Sequence, residues 1–152
     1  MPKYIALSLC IALSTSLTGC AVSPLDQHDP ERSLNWCPPL PNCVSTEAST
    51  FIHKIDHFPL NLPFEEAWPL VIESIEQLPN TEIAHQYPGY IYAKSYSKVF
   101  HFVDYVEVLH RADTQTLSVR SGSLLGISDL FVNYFRTEAL RDSLIKKKVI
   151  SP

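Results

Sequence analysis

Phe100-His101-Phe102-Val103-Asp104-Tyr105-Val106-Glu107-Val108-Leu109 is dense in Phe, Val and Tyr, side chains that suit a pleated, half-buried surface, and predicts a long β-strand. The polar run from Arg111 to Thr116 reads as a hairpin loop, and Leu117-Ser118-Val119-Arg120-Ser121-Gly122-Ser123 as the returning strand. Two more strand-like runs lie upstream, Glu82 to Tyr87 and Tyr90 to Tyr96, around the turn pair Pro88-Gly89. Before them, a helical pattern opens at Pro63, a residue suited to the first helical position. Trp68, Val71, Ile72, Ile75 and Leu78 recur there at helical spacing, and the early acids Glu65 and Glu66 suit the positive end of a helix. Pro69 cannot bond back to the Glu65 carbonyl, so a kink or a later start is expected. Phe51 to Phe58 predicts a first strand. Downstream, Ser128 is placed to cap a closing helix from Asp129 to about Lys147, with Phe131, Tyr134, Phe135, Ala139 and Leu140 as its buried side. The order is β-α-β-β-β-β-α. Short turns between strands imply a mostly antiparallel sheet, with both helices on one face. The expected fold is an α+β two-layer sandwich, with a helix-grip arrangement as one form of it.

The 152 residues suffice for one domain, and 45% hydrophobic with 18% charged residues exclude a disordered chain. The amino terminus reads as a targeting segment. Lys3 is followed by an apolar run from Tyr4 to Leu13, too short to span ~30 Å of hydrocarbon comfortably, which is the pattern of a secretory signal. The tetrad Leu17-Thr18-Gly19-Cys20 then resembles the lipobox of bacterial lipoproteins. That resemblance implies cleavage before Cys20 and a diacylglycerol on its thiol. With Ala21 rather than Asp next, it further implies the outer membrane of a double-membraned bacterium, facing the periplasm. Residues 1–19 are expected to be the signal, 20–35 a polar flexible tether, and 36–150 a single α+β domain.

Cleavage removes Lys3 and no acid, leaving 11 basic against 16 acidic residues, a net charge of −5. Only Lys146-Lys147-Lys148 clusters positive charge, and it suits a helix carboxy terminus, so a nucleic-acid partner is excluded. Cys10 leaves with the signal and Cys20 takes the lipid. Cys37 and Cys43 remain, and in an oxidising compartment they are expected to form a disulfide, with a metal pair and a redox pair as alternatives.

The chemistry-bearing residues gather in the last third. Asp104 and Glu107 interrupt an apolar strand; Arg120, Ser121 and Ser123 lie on the next; Asp129, Asn133 and Arg136 follow at i, i+4 and i+7, one face of a helix. Strand alternation puts Asp104 and Glu107 on opposite faces, which argues against a paired acid and base. Val119, Ser121 and Ser123 share one face and Arg120 takes the other. The functional reading is a polar site where a strand pair meets the helix start, with Arg120 and the helix amino terminus holding an anion. The structural reading is a network in which Asp104 or Asp129 meets Arg120 or Arg136. The tyrosines Tyr87, Tyr90, Tyr92, Tyr96 and Tyr105 could line a cleft or fill a core. No metal site is expected: His53 and His57 on a strand would stand roughly 13 Å apart, and the other histidines are scattered. No nucleophile motif is present either, so no catalytic residue and no cofactor is assigned.

Cys37-Pro38-Pro39-Leu40-Pro41-Asn42-Cys43-Val44-Ser45 resembles the Cys-Pro-x-x-Pro-Asn-Cys-Val-Ser opening of the domain of unknown function 1499 family. Phe102-Val103-Asp104-Tyr105-Val106-Glu107 is similar to its Phe-x-Asp-Asp-Val-Glu strand. Arg120-Ser121-Gly122-Ser123 with Gly126, Ser128, Asp129, Asn133 and Arg136 resembles its Arg-Ser-x-Ser-Arg-x-Gly-x-Ser-Asp-x-Gly-x-Asn-x-x-Arg signature. The likeness covers roughly residues 36–145. The chain departs from the pattern at Tyr105, in place of the second Asp, at Leu124, in place of Arg, and at Phe131, in place of Gly. The family brings no settled reaction. Three functions compete: a membrane-anchored, non-catalytic module that binds an envelope protein or supports an assembly; a module for a small ligand or lipid; and an enzyme using Asp104, Glu107 and Arg120.

Overall fold

The computed structural model describes residues 33–97 and 101–152. The expected signal, Cys20 and the tether up to residue 32 lie outside the described residues. The chain runs β1 (Cys43–Ser45), β2 (Phe58–Pro59), α1 (Phe64–Glu76), β3 (Thr81–Tyr87), β4 (Tyr90–Tyr96), β5 (Val103–Arg111), β6 (Thr116–Ser123) and α2 (Val132–Lys146). The strands make one six-stranded antiparallel sheet, ordered β1-β6-β5-β4-β3, with β2 also paired to β6. The α+β sandwich is thus present, with a difference before α1. The expected strand over residues 51–58 is realised only at its end; Phe51 to His53 form a turn, and two short strands share the edge of β6 instead.

Alternation along each strand sorts the side chains. Ile91, Ala93, Val106, Val108, Leu117 and Val119 face the helices and join Ala67, Trp68, Val71 and Ile75 of α1 with Leu140 and Leu144 of α2 in the main core. Tyr90, Tyr92, Tyr105 and Leu109 face the other way and make a smaller second core, closed by Leu34. Ordered packing therefore begins already at Leu34, ahead of Trp36. Both cores lie between Leu34 and Ile150, so this part of the chain carries the interior that holds it folded.

Pro69 sits inside α1 on its exposed side, where the Glu65 carbonyl it leaves unbonded faces water. In α2 the buried residues are Asn133, Thr137, Leu140 and Leu144, a stripe at i, i+4, i+7 and i+11. Phe131, Tyr134, Phe135 and Ala139, expected inside, are exposed, and of that set Leu140 is buried. The correction has a physical cause: polar Asn133 is held against the sheet by specific hydrogen bonds, and that rotates the aromatic residues outward.

His110 at the end of β5 stacks on Phe64 of α1, with ring centroids 4.3 Å apart, and its buried Nε2 has no hydrogen-bond partner. Burial holds its pKa below the ordinary histidine value of 6.5, against a weaker opposite pull from Glu65. The unfolded chain therefore takes up this proton at higher pH than the folded one, and stability falls as pH drops below about 6.5. In urea titrations between pH 7 and pH 5, His110→Gln is expected to lose less stability than the parent over that window. An identical slope in the two proteins would show that His110 is not the group responsible.

Candidate functional site

The hairpin of β5 and β6 places most of the expected polar set. Its register pairs Glu107 with Arg120, Val106 with Ser121, Tyr105 with Gly122 and Asp104 with Ser123. Because neighbours in a strand alternate, this one ladder feeds two separate clusters on opposite faces of the sheet.

On the helix side, Asp104, Ser121 and Ser123 meet Asn133 and Arg136 of α2. Arg136 donates to the Asp104 carboxylate (2.7 Å), to Asn133 Oδ1 (2.6 Å) and to Ser121 Oγ (3.1 Å). The Ser121 hydroxyl lies 2.7 Å from Asn133 Oδ1. Asn133 Nδ2 donates to the Asn42 carbonyl (2.9 Å) and to Ser123 Oγ (3.0 Å). Asn42 in turn donates to the Gly126 carbonyl (2.7 Å). Asp129 stands just before α2, and its carboxylate accepts from the backbone N–H of Phe131 (3.0 Å) and Asn133 (2.8 Å). That satisfies donors every helix start leaves open and places a negative charge at the positive end of the dipole. Asp129, rather than Ser128, is the capping side chain.

On the far side, Arg120 and Glu107 form an ion pair at 2.6 Å, with side chains 1% and 0% exposed. The Tyr90 hydroxyl donates to the same carboxylate (2.8 Å), and Arg120 donates to the Trp36 carbonyl (3.2 Å). The guanidinium lies 4.6 Å from the centre of the Tyr105 ring. Tyr105 is stacked on Tyr92 and lies over Gly122, where any Cβ would strike its phenol end. Burial pushes the Tyr105 hydroxyl far above its ordinary pKa, with Arg120 opposing and Glu107 reinforcing. This tyrosine stays neutral throughout the physiological range.

The structure thus brings Asp104, Ser121, Ser123, Asp129, Asn133 and Arg136 together and puts Glu107 and Arg120 elsewhere. Of the expected network, in which Asp104 or Asp129 meets Arg120 or Arg136, the Asp104–Arg136 pair is present. The placing of Arg120 with either acid, and with the helix amino terminus, is corrected, because Arg120 faces away from α2 and pairs with Glu107. Tyr90, Tyr92 and Tyr105 are interior, so they do not line a cleft. Sequence reasoning missed Asn42, Tyr90 and the Trp36 carbonyl as partners.

The segment Cys37 to Cys43 is closed by a disulfide with Cα atoms 5.6 Å apart. In chain-entropy terms a loop this short adds about 2 kcal/mol. It also braces Asn42, whose carbonyl accepts from Ser123 N–H (2.9 Å) and whose neighbour Pro41 accepts from Asp129 N–H (3.3 Å). The opening, strand and signature motifs converge on this corner. The sequence profile of the proteins of unknown function DUF1499 matches residues 33–144. The chain belongs to the DUF1499 family. Comparison with curated proteins and with solved structures finds no match.

The DUF1499 motif residues here are therefore accounted for by position: they lock the start of α2, the disulfide loop and the hairpin to one another. Two of the departures have a visible structural consequence. Tyr105 exchanges a charge for a ring stacked under Arg120. Phe131 occupies a left-handed backbone position (φ 66°), next to Leu130 (φ 52°), where glycine would sit without strain. Among the described residues, no group of three or more His, Cys, Asp and Glu is placed to hold a metal. No described helix is long and apolar enough to cross a membrane.

Proposed function

We propose that this DUF1499 protein is an envelope lipoprotein, anchored by lipid on Cys20 to the outer membrane and facing the periplasm, whose domain is a non-catalytic module for binding or supporting an assembly. The observation that carries the non-catalytic reading is the state of the polar set. Asp104 is bound by Arg136 and Glu107 by Arg120, on opposite faces of the sheet, so the two carboxylates cannot act on one substrate. Ser121 and Asn133 are fully buried and bonded within the network, which suits fastening rather than turnover. The lipobox carries the anchoring reading: two or more acyl chains at ~0.8 kcal/mol per buried CH₂ hold a protein stably.

Metabolic labelling with a palmitate analogue tests the anchor. The native chain is expected to incorporate label and to fractionate with outer membranes, and Cys20→Ser to do neither. Label retained by Cys20→Ser would reject the assignment.

A second reading, a small-ligand module, is favoured by one feature. A groove of about 470 Å³, the size of small-molecule sites, is lined among others by Leu34, Trp36, Pro39, Glu47, Thr50 and His53. It lies beside the amino-terminal strap rather than among the tyrosines. Native mass spectrometry of gently purified protein separates the readings: a stoichiometric small-molecule adduct supports the ligand module, and a bare mass supports the protein-binding one.

A further inference from the structure

The turn between β6 and α2 carries an unusual concentration of exposed apolar surface. Leu125 is 67% exposed, Ile127 75%, Leu130 81% and Phe131 71%. Phe135 continues the patch one helical turn on, at 65%. From Leu124 to Phe135 the only ionisable side chain of ordinary charge is Asp129, and its carboxylate is turned inward onto the Phe131 and Asn133 amides. The exposed face of this crown is therefore largely apolar and carries no basic side chain, and its one carboxylate, half-buried, is engaged by those two amides.

The crown is also held in place. Asn42 bonds the Gly126 carbonyl, Asp129 N–H bonds the Pro41 carbonyl, and Asp129 fastens the helix start. Leu130 and Phe131 are consecutive bulky residues in left-handed backbone, a conformation that costs roughly 1–2 kcal/mol per residue for such side chains. Strain of this kind persists where the surrounding structure over-determines it, and here it presents two large apolar side chains to solvent.

We propose that this crown inserts into the interfacial region of a lipid bilayer, giving the domain a second, non-covalent contact with the membrane. The sparse charge selects this occupant. A patch whose single charge is already held by backbone amides offers little with which to choose an acidic or basic protein surface, whereas apolar side chains at a turn match the boundary between headgroups and acyl chains. Geometry permits it. The described chain begins next to Leu34, whose N–H bonds Glu47, itself paired with Arg111 at the end of β5 remote from the crown. The eight residues of β6 that separate the two ends span roughly 26 Å. The 13 residue steps from Cys20 to Ser33 reach at most roughly 45 Å, enough to let the far end of the domain touch the bilayer that holds the lipid. The proposal builds on the lipid-anchored reading, because a tethered domain meets that surface at high effective concentration.

The test uses the chain from Ala21 to Pro152, which lacks the acylation site and retains both cores. Its failure therefore leaves the Cys20 assignment standing, and a failed palmitate experiment leaves the crown standing. Binding is measured by flotation with phosphatidylcholine vesicles and with vesicles containing phosphatidylglycerol, at low and high salt. The expected result is comparable binding to both, weakly dependent on salt. Each large apolar side chain buried contributes roughly tenfold or more in partitioning. Leu130→Asn/Phe131→Asn, which places the residue best tolerated in left-handed backbone at both sites, is expected to weaken binding about 100-fold. Ile127→Gln, outside the strained pair, is expected to weaken it about tenfold while leaving the thermal melt unchanged. The proposal is overturned by absence of binding to either vesicle, by equal binding of parent and double variant, or by binding confined to anionic vesicles and abolished by salt. A parent that sediments as a dimer, with Leu130→Asn/Phe131→Asn monomeric, would likewise overturn it in favour of self-association.

Discussion

Arg120→Ala is expected to destabilise the domain by about 3–5 kcal/mol, because it leaves the buried Glu107 carboxylate without its charge partner. The pair is 2.6 Å apart and almost wholly enclosed, with the Tyr90 hydroxyl as the other partner of Glu107. A protein of this size has a total stability of only about 5–15 kcal/mol, so the variant is expected to lose a large fraction of it. Urea denaturation at pH 7 measures the loss. The cause is separable from lost packing. Glu107→Leu/Arg120→Met removes both charges at similar volume and is expected to recover most of the stability, since an apolar pair avoids the desolvation cost. A double variant as unstable as Arg120→Ala would mean that the arginine acts through its stacking on Tyr105 rather than through its charge.

The second large effect is expected at Asn133. Asn133→Leu keeps the volume but leaves the Asn42 carbonyl, Ser123 and the Ser121 hydroxyl short of partners and takes one acceptor from Arg136. At ~1–3 kcal/mol for each buried group left unsatisfied, a net loss of about 3 kcal/mol is expected after partial relaxation. Hydrogen exchange gives the more diagnostic readout. The Ser123 amide, bonded to Asn42, and the Asn133 amide, bonded to Asp129, are expected to lose protection selectively, because the corner is the unit that opens. Uniform loss across β3 and β4 would mean that Asn133 serves global stability only. Asn133 and Arg120 share no partner and lie on opposite faces of the sheet, so the two losses are expected to add within about 0.5 kcal/mol.

The pairing of Glu107 with Arg120 was within reach of the sequence. A hairpin loop centred between Asp113 and Thr114 puts residues 107 and 120 opposite each other, and both alternate onto the face that carries Tyr105. Alternation alone separates Asp104 from Glu107, whereas matching Arg120 to its acid needs the register as well as the side-chain type. Asn42 has no role legible in the sequence, since its partners Gly126, Ser123 and Asn133 are all more than 80 residues away. The burial of α2 was misread for a related reason. Hydrophobicity pointed to Phe131, Tyr134 and Phe135, and only the hydrogen bonds of Asn133 rotate that face outward.

The sequence by itself determined the four long strands, the two helices and their order, because periodicity, turn residues and short connections are local properties; the bond between Cys37 and Cys43, an expectation there, is seen only in the structure. It also determined the family, through residues whose spacing survives in the chain. Tertiary structure alone decided that Asn42, Asn133 and the Trp36 carbonyl close the polar networks, that Leu34 seals a second core, and that the apolar crown faces outward. Each of these depends on contacts between segments far apart in sequence, and a buried charge or an exposed phenylalanine has no local signature that sets it apart from its opposite.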